Sequence, residues 1–294
     1  MANVVVLGSS GMLGSHVTRF LENQGHNIVE FNRAIKPISK AGKILHFDAT
    51  EGHVLETLAN YKNFDYLINC IGVIRHKIRT DNVDSIISCT LVNSIFPLEL
   101  SKFAIISKCR VINIYTDCVF SGERGVYAES DTRDPTDLYG YTKMIGEQNS
   151  SRTMNIRSSF VGKELNSKVE LLSWLINQPK NGKVSGYINH FWNGVTALHI
   201  AKIINAVINK GLFKHGTFHL VPCDSVTKFN LISQIAKFAS RGDILISPID
   251  SEQRINRTLT TNFPELNLAM WEAAGYRSVP TVDSLIKEYF DISS

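Results

Sequence analysis

A chain of 294 residues that is 44% hydrophobic and 20% charged, with 19 glycines and 8 prolines, has the composition of a packed globular protein. That excludes a miniature scaffold, a disordered segment and a collagen-like rod. Lys and Arg exceed Asp and Glu by 31 to 27, a formal charge of +4, which is too mild for a dedicated nucleic-acid binder and suits a small anionic ligand.

In chain order, Met1-Ala2-Asn3-Val4 lacks the basic segment of a secretory signal and leads into a strand at Val4 to Leu7. A helix over Met12 to Gln24 follows, closed by Gly25. Strands are predicted at Asn27 to Phe31, Ile44 to Phe47 and Tyr66 to Ile71, then a long helical pattern at Val83 to Lys108 that carries Pro97. A strand at Val111 to Tyr115, a helix at Leu138 to Ser150 with Asp137 as N-cap, and a strand at Met154 to Ile156 complete the first half. Continuous apolar strands alternating with helices specify an α/β fold, a Rossmann-type doubly wound parallel sheet covered on both faces. From about residue 158 the texture changes. Gly162, Gly182, Gly186 and Gly194 punctuate shorter segments, and helices at Val169 to Asn177, Thr196 to Asn209 and Lys228 to Ala239 no longer alternate regularly with strands. Residues 1–158 are thus read as a dinucleotide-binding domain and 159–294 as mainly a smaller C-terminal substrate-binding lobe, some of whose segments are free to return to the first domain. The apolar run 200–208 is broken by Lys202 and Asn205, so no bilayer span and no membrane partner is expected. Five cysteines without CxxC spacing point to reduced thiols and, with the missing signal, to a cytoplasmic protein. The nine histidines form no HxxxH or HExxH pattern, and no metal is expected.

The strongest local signal is Gly8-Ser9-Ser10-Gly11-Met12-Leu13-Gly14, directly after the first strand and opening the first helix. Glycines there permit a tight turn and let the backbone approach a pyrophosphate seated on the positive end of the helix. Gly8, Ser10, Gly11, Met12, Leu13 and Gly14 are therefore candidate cofactor contacts. At the end of the second strand an acidic residue would hold the adenosine ribose of NAD, but Asn32 and Arg33 stand in that place. A neutral amide and a guanidinium favour the 2′-phosphate of NADPH over NADH. Glu30 becomes the ribose ligand if the register shifts by two. Asp48, after the third strand, is either an adenine contact or a helix cap. Tyr139-Gly140-Tyr141-Thr142-Lys143 sets Tyr139 and Lys143 on one helical face, where an ammonium can lower the phenol pKa and hold ribose hydroxyls. It follows Tyr115-Thr116-Asp117 at a strand end, where open α/β sheets bind ligands. Tyr141 has no Lys four residues on and reads as a packing or cofactor-side aromatic. Arg75, His76, Lys77 and Arg79 form a basic loop that either meets a diphosphate or stays solvated.

Taken together, the glycine fingerprint, Asn69-Cys70-Ile71-Gly72, Val92-Asn93-Ser94, Tyr115 to Gly122, Tyr139 to Lys143 and Ile156-Arg157-Ser158-Ser159 resemble the extended short-chain dehydrogenase/reductase family, in its dTDP-4-dehydrorhamnose reductase-like branch. Weaker echoes at Asn193-Gly194-Val195-Thr196 and Arg257-Thr258-Leu259 carry the resemblance through nearly the whole chain. It implies that Thr116 hydrogen-bonds the substrate oxygen, Tyr139 donates the proton and Lys143 supports it. It further implies that Cys70, Ile71, Gly72 and Asn93 lie beside the cofactor, and that Val73, Arg75, Asp117, Cys118, Phe120, Ser158, Asn193, Thr196 and Arg257 face a nucleotide-diphosphate sugar. Two positions depart from the branch: Tyr115 stands for Ser and Cys118 for Tyr. The expected activity is reduction of a nucleotide-linked 4-keto-6-deoxysugar with NADPH, NADH being the second candidate. An epimerase or epimerase-reductase using Cys118, and a noncatalytic regulatory subunit, are the alternatives; a homodimer is the candidate assembly.

Overall fold

A computed structural model describes residues 1–33, 37–40, 42–51, 54–59 and 64–293. The first half contains β1 (Asn3–Leu7), α1 (Met12–Asn23), β2 (Asn27–Asn32), β3 (Lys43–His46), α2 (Val54–Ala59), β4 (Tyr66–Asn69), α3 (Val83–Thr90), α4 (Phe96–Ser107), β5 (Arg110–Tyr115), α5 (Leu138–Gly146) and β6 (Thr153–Arg157). The second half contains β7 (Phe160–Val161), α6 (Leu171–Ile176), β8 (Lys183–Tyr187), β9 (His190–Trp192), β10 (Val195–Thr196), α7 (Ala197–Asn209), β11 (Gly216–His219), β12 (Val226–Thr227), α8 (Lys228–Phe238), β13 (Leu245–Ile249), β14 (Ile255–Asn256), α9 (Pro264–Ala273) and α10 (Val282–Ser293).

Seven strands form one sheet in the order β11-β6-β5-β4-β1-β2-β3, every pair parallel. The order reverses between β1 and β4, the switch point at which such sheets bind ligands. Alternate side chains of the apolar strands feed two cores. On one face Val4, Val6, Ile68 and Ile112 pack with Val17 and Leu21 of α1 and Ile200, Ile204 and Val207 of α7. On the other, Val5, Leu7, Leu67 and Val111 pack with Leu58, Phe96, Leu100 and Phe103. Both α7 and β11 thus come back from the second half of the chain to complete the seven-stranded sheet and one of its faces. The remaining small sheets, α6, α8 and α10 enclose a separate core around Leu172, Trp192, Leu231 and Ile286.

A ladder of buried amides crosses the sheet. Asn69 donates to Asn113 (3.1 Å), Asn113 to Asn155 (3.0 Å) and Asn155 to Thr217 (3.3 Å), each pair being direct register partners. Asn69 Oδ1 also accepts the Ile71 N–H (3.1 Å), which turns the chain and ends β4 before the expected Ile71.

The helical pattern at Val83 to Lys108 folds as one continuous stretch, α3 and α4 joined by a π-turn at Leu91–Ile95. The wider turn, in which the Phe96 N–H reaches Leu91 O, admits Pro97, which has no N–H to give. Contrary to the sequence expectation, Val83–Ser107 is long and apolar enough to match a bilayer span, with a mean hydropathy of 1.3; here 56% of that window is buried inside the protein.

Helix α5 stops at Gly146, short of the expected Ser150, because Glu147 leaves the helix at φ −81°, ψ 78° and turns inward to Arg157. Both side chains are 2% exposed. Arg157 Nε donates to Glu147 Oε2 (3.2 Å), Nη2 pairs with Oε1, and Nη1 donates to His219 Nε2 (2.6 Å). Burial and the adjacent guanidinium push the His219 imidazole down to about 4. The neutral ring therefore accepts at Nε2 and donates from Nδ1 to Thr260 O (2.6 Å). Glu147→Ala would strand the Arg157 charge and is expected to lower stability by about 3–5 kcal/mol, whereas replacing both partners with apolar residues of similar volume recovers most of the loss. Urea denaturation of the two variants tests this.

Candidate active site

The carboxyl ends of β1, β4, β5 and β6 open on a cleft of about 610 Å³. The glycine-rich loop lies at its base. Gly11 N–H bonds Gly8 O (3.0 Å) and Ser15 N–H bonds Gly11 O (3.0 Å), starting α1. A Cβ on Gly14 would lie 2.1 Å from Gly8 O, so only glycine lets the helix close on the loop. Gly14 is packed behind the loop, while Gly8, Ser10, Gly11, Met12 and Leu13 line the cleft.

At the end of β2 the Asn32 amide donates to Ser9 Oγ (2.7 Å) and leaves its buried Oδ1 without a partner. Arg33, exposed, and Asp48 stand on the same wall. The Asp48 carboxylate accepts the Thr50 N–H (2.9 Å) and hydroxyl (2.8 Å); burial raises its pKa, but these bonds and nearby Arg33 outweigh it and hold the group below the usual carboxylate range. Glu30 is committed elsewhere. Its carboxylate accepts the N–H groups of Ile38 (3.0 Å) and Ser39 (2.7 Å) and the Ser39 hydroxyl, which removes the alternative of Glu30 as a ribose ligand.

Cys70, Ile71, Gly72 and Val73 form the wall after β4. Asn93, expected beside the cofactor, is fully buried and off that wall. It accepts the Val73 N–H and donates to Val73 O (both 2.9 Å), anchoring the loop from behind.

Thr116, Tyr139 and Lys143 share the cleft. Thr116 directly follows β5, where its Oγ1 accepts the Cys118 N–H (3.1 Å) and its side chain pairs with the Tyr139 phenol. Asp137 caps α5 by accepting the Gly140 N–H (2.8 Å), which aims the first turn, with Tyr139, into the cleft. One turn on, Lys143 is buried. Its Nζ lies 5.8 Å from the Tyr115 ring centroid, and a Cβ on Gly72 would come within 2.8 Å of it. Burial pushes the ammonium down to about 8, with Glu147 opposing the shift. The phenol departs from the sequence expectation: burial, reinforced by Cys118, holds its pKa above the ordinary value despite the Thr116 bond. Tyr139 therefore keeps its proton, which suits a proton donor.

Asp117, Cys118 and Ser158 also line the cleft. Burial and adjacent Asp117 push the Cys118 thiol up to about 12, which disfavours the thiolate an epimerising base would need. Arg75 is at the mouth but is ion-paired to Asp137 (2.9 Å). Four other expected substrate contacts lie off the wall. Phe120 is fully buried and stacked on Tyr127 (4.4 Å). Asn193 clasps the backbone of Leu259 with both amide atoms. Thr196 caps α7 and bonds His199. Arg257 donates from Nε to Phe120 O (2.8 Å). Tyr141 is 49% exposed, pointing away from the cleft.

Sequence reasoning missed the loop 164–170, which forms the outer wall through Glu164 to Ser167 and Glu170. Glu164 organises it by accepting the N–H groups of Val169 (2.7 Å) and Glu170 (2.8 Å). The run Glu164-Leu165-Asn166-Ser167 matches no motif, so no local signal marked it. A more open groove of about 780 Å³ runs beside the outer edge of β11 and holds none of the expected site residues.

The chain is 28% identical over 236 residues to a probable low-salt glycan biosynthesis reductase of Haloferax volcanii, spanning 76% of this chain and 75% of that one. Its fold superimposes on a dTDP-4-dehydrorhamnose reductase of Bacillus anthracis crystallised with NADP, with a TM-score of 0.79 and 19% identity over 100% of this chain and 99% of that one. It also superimposes on the Bordetella bronchiseptica enzyme WbmG in complex with NAD and UDP, with a TM-score of 0.75 and 13% identity over 99% and 96% of the two chains. The sequence profile of the RmlD substrate binding domain matches residues 1–294, and the chain belongs to that family.

Proposed function

We propose that this protein is an NADPH-preferring reductase of a nucleotide-linked 4-keto-6-deoxysugar, acting in the cytoplasm in the synthesis of deoxysugars for surface glycans. The observation that carries the reading is the convergence of Thr116, a protonated Tyr139 and a buried Lys143 in the same cleft as the glycine-rich loop. Family membership and the glycan reductase and sugar-nucleotide enzymes named above support it.

The residues fit a dinucleotide. The first turn of α1 starts at the cleft without a side-chain cap, which leaves its backbone donors for a pyrophosphate, and Asn32 on the same wall keeps a buried Oδ1 without a partner. Glu30 is withdrawn and Arg33 stands exposed at the rim, so a 2′-phosphate would meet a guanidinium with no carboxylate of β2 opposing it. When bound, the nicotinamide supplies the hydride. The protein's part is to place and protonate the substrate oxygen: Thr116 holds it, Tyr139 gives up the phenolic proton, and the Lys143 ammonium stabilises the charge that develops on both oxygens.

Tyr139→Phe is expected to reduce kcat by at least 10²-fold with NADPH affinity nearly unchanged; strong residual turnover in a stopped assay at the nicotinamide band would mean another group gives the proton. Arg33→Ala should weaken NADPH roughly 10- to 100-fold and NADH much less, as read by fluorescence titration of both coenzymes. The pH profile carries its own sign. Lys143 loses its charge as pH rises through about 8 while Tyr139 stays protonated, so kcat/KM for reduction should fall above about pH 8. Lys143→Arg, whose charge persists, should move that limb upward.

A further inference from the structure

His16 and Tyr289 belong to no motif, yet they join two walls of the cleft. Met12 opens α1 and lines the cleft. Its carbonyl accepts the Ser15 hydroxyl (2.9 Å) and a bond from His16 Nδ1 (2.8 Å). A carbonyl only accepts, so the His16 proton sits on Nδ1. Burial lowers the pKa of the ring, with the Met12 bond opposing and Arg19 assisting, which favours the neutral form. Nε2 is then an acceptor and takes the Tyr289 phenol (2.9 Å). The phenol oxygen in turn accepts the Lys163 N–H (2.8 Å). The relay therefore has one polarity throughout, from Lys163 through Tyr289 and His16 to Met12 O.

Lys163 leads directly into the outer wall. The next N–H, that of Glu164, donates to Ser173 Oγ (2.7 Å), and the Glu164 carboxylate gathers the Val169 and Glu170 N–H groups. At the far end Glu170 Oε1 lies 3.3 Å from His76 Nδ1 of the basic loop, and both residues line the cleft. Direct packing reinforces the relay: a Cβ on Gly162 would stand 2.6 Å from Met12 Sδ, so the chain entering the wall rests on the first residue of α1. Tyr289 is 2% exposed and belongs to the same core as Val161 and Leu172, which fixes its ring independently of its hydroxyl. The first turn of α1 has no side-chain cap, and its N–H donors are left to solvent until an anion takes them. A ligand that fixes this turn also fixes what hangs from it, and freedom removed by the first ligand need not be removed again by the second.

We propose that His16 and Tyr289 are positioning residues that make the outer wall at 164–170 answer to occupancy of the glycine-rich loop, so that a seated dinucleotide orders the wall against which the second substrate binds. This assignment rests on the dinucleotide reading of the cleft above.

Hydrogen–deuterium exchange of the full-length protein, with and without saturating NADPH, tests it, NADPH affinity being titrated on every sample. In the parent, NADPH should slow exchange of the Glu164, Val169 and Glu170 amides at least about fivefold. Tyr289→Phe keeps the ring and removes only the hydroxyl. It should leave NADPH affinity within about threefold and protection over residues 11–13 in place, while cutting the NADPH effect on the wall below about twofold. His16→Leu should do the same and the double variant no more, because both interrupt one relay. A tie that is structural alone would speed exchange of the wall equally in both states, so an NADPH effect that survives in Tyr289→Phe overturns the assignment. A parent that binds NADPH without any change in its wall overturns it too. A parent that binds no NADPH would instead overturn the dinucleotide reading itself.

Discussion

The amide ladder from Asn69 through Asn113 and Asn155 to Thr217 is the constraint on which the cleft depends. Amides buried inside a parallel sheet must find partners, because an unmet donor or acceptor costs about 1–3 kcal/mol. Here each finds its neighbour only when four strands lie in one register. A slip by one residue would turn all of them to the other face and leave them unmet. The strand ends that follow, Cys70 to Gly72, Thr116 and Ser158, are consequently held at one height. A hydrophobic sheet alone would tolerate sliding; a polar line through its middle does not.

The second organising element is Glu147. By leaving the end of α5 it serves three cations at once, pairing directly with Arg157, lying 3.9 Å from Arg133 Nη1 and favouring the charged form of Lys143 one turn back. A lysine packed under Gly72 and over Tyr115 would otherwise shed its proton readily, since burial alone drives it toward neutrality. The charge at the Lys143 end of the cleft is thus maintained by a carboxylate that never faces the cleft, and that carboxylate is held in turn by the β6–β11 edge through Arg157 and His219.

Much of this was legible in the chain. The glycine fingerprint and the Tyr139 to Lys143 pair declare themselves because their parts are adjacent in sequence and their spacing matches the geometry they need. Strand alternation gave the sheet for the same reason. What escaped depends on distant residues. The ladder joins positions 42 to 62 apart, and the buried Arg157 meets His219 62 positions further on. The echoes at Asn193 and Thr196 illustrate a different failure: a polar residue in a family-like setting looked like a ligand, yet its side chain closes a backbone clasp or a helix end. Asn93 is intermediate, since it shapes the cleft wall from behind through Val73. The Glu30 alternative could be resolved only by seeing Ile38 and Ser39 fold back over the carboxylate.

The helix Val83–Ser107, apolar enough to satisfy a bilayer, also bears on the order in which the protein is made. Its inward stripe, Phe96, Leu100, Phe103 and Ala104, packs on Val5, Leu7, Phe31, Phe47, Leu58 and Leu67, all of which precede it in the chain. As the nascent polypeptide lengthens from its N-terminus, the β1, β2 and β4 side of the surface that covers this helix has already been synthesised when the helix emerges, and β5 and α5 close over it afterwards. The most lipid-like segment of the protein therefore meets its own chain first, and the vectorial direction of translation does for it what a flanking charge would do elsewhere.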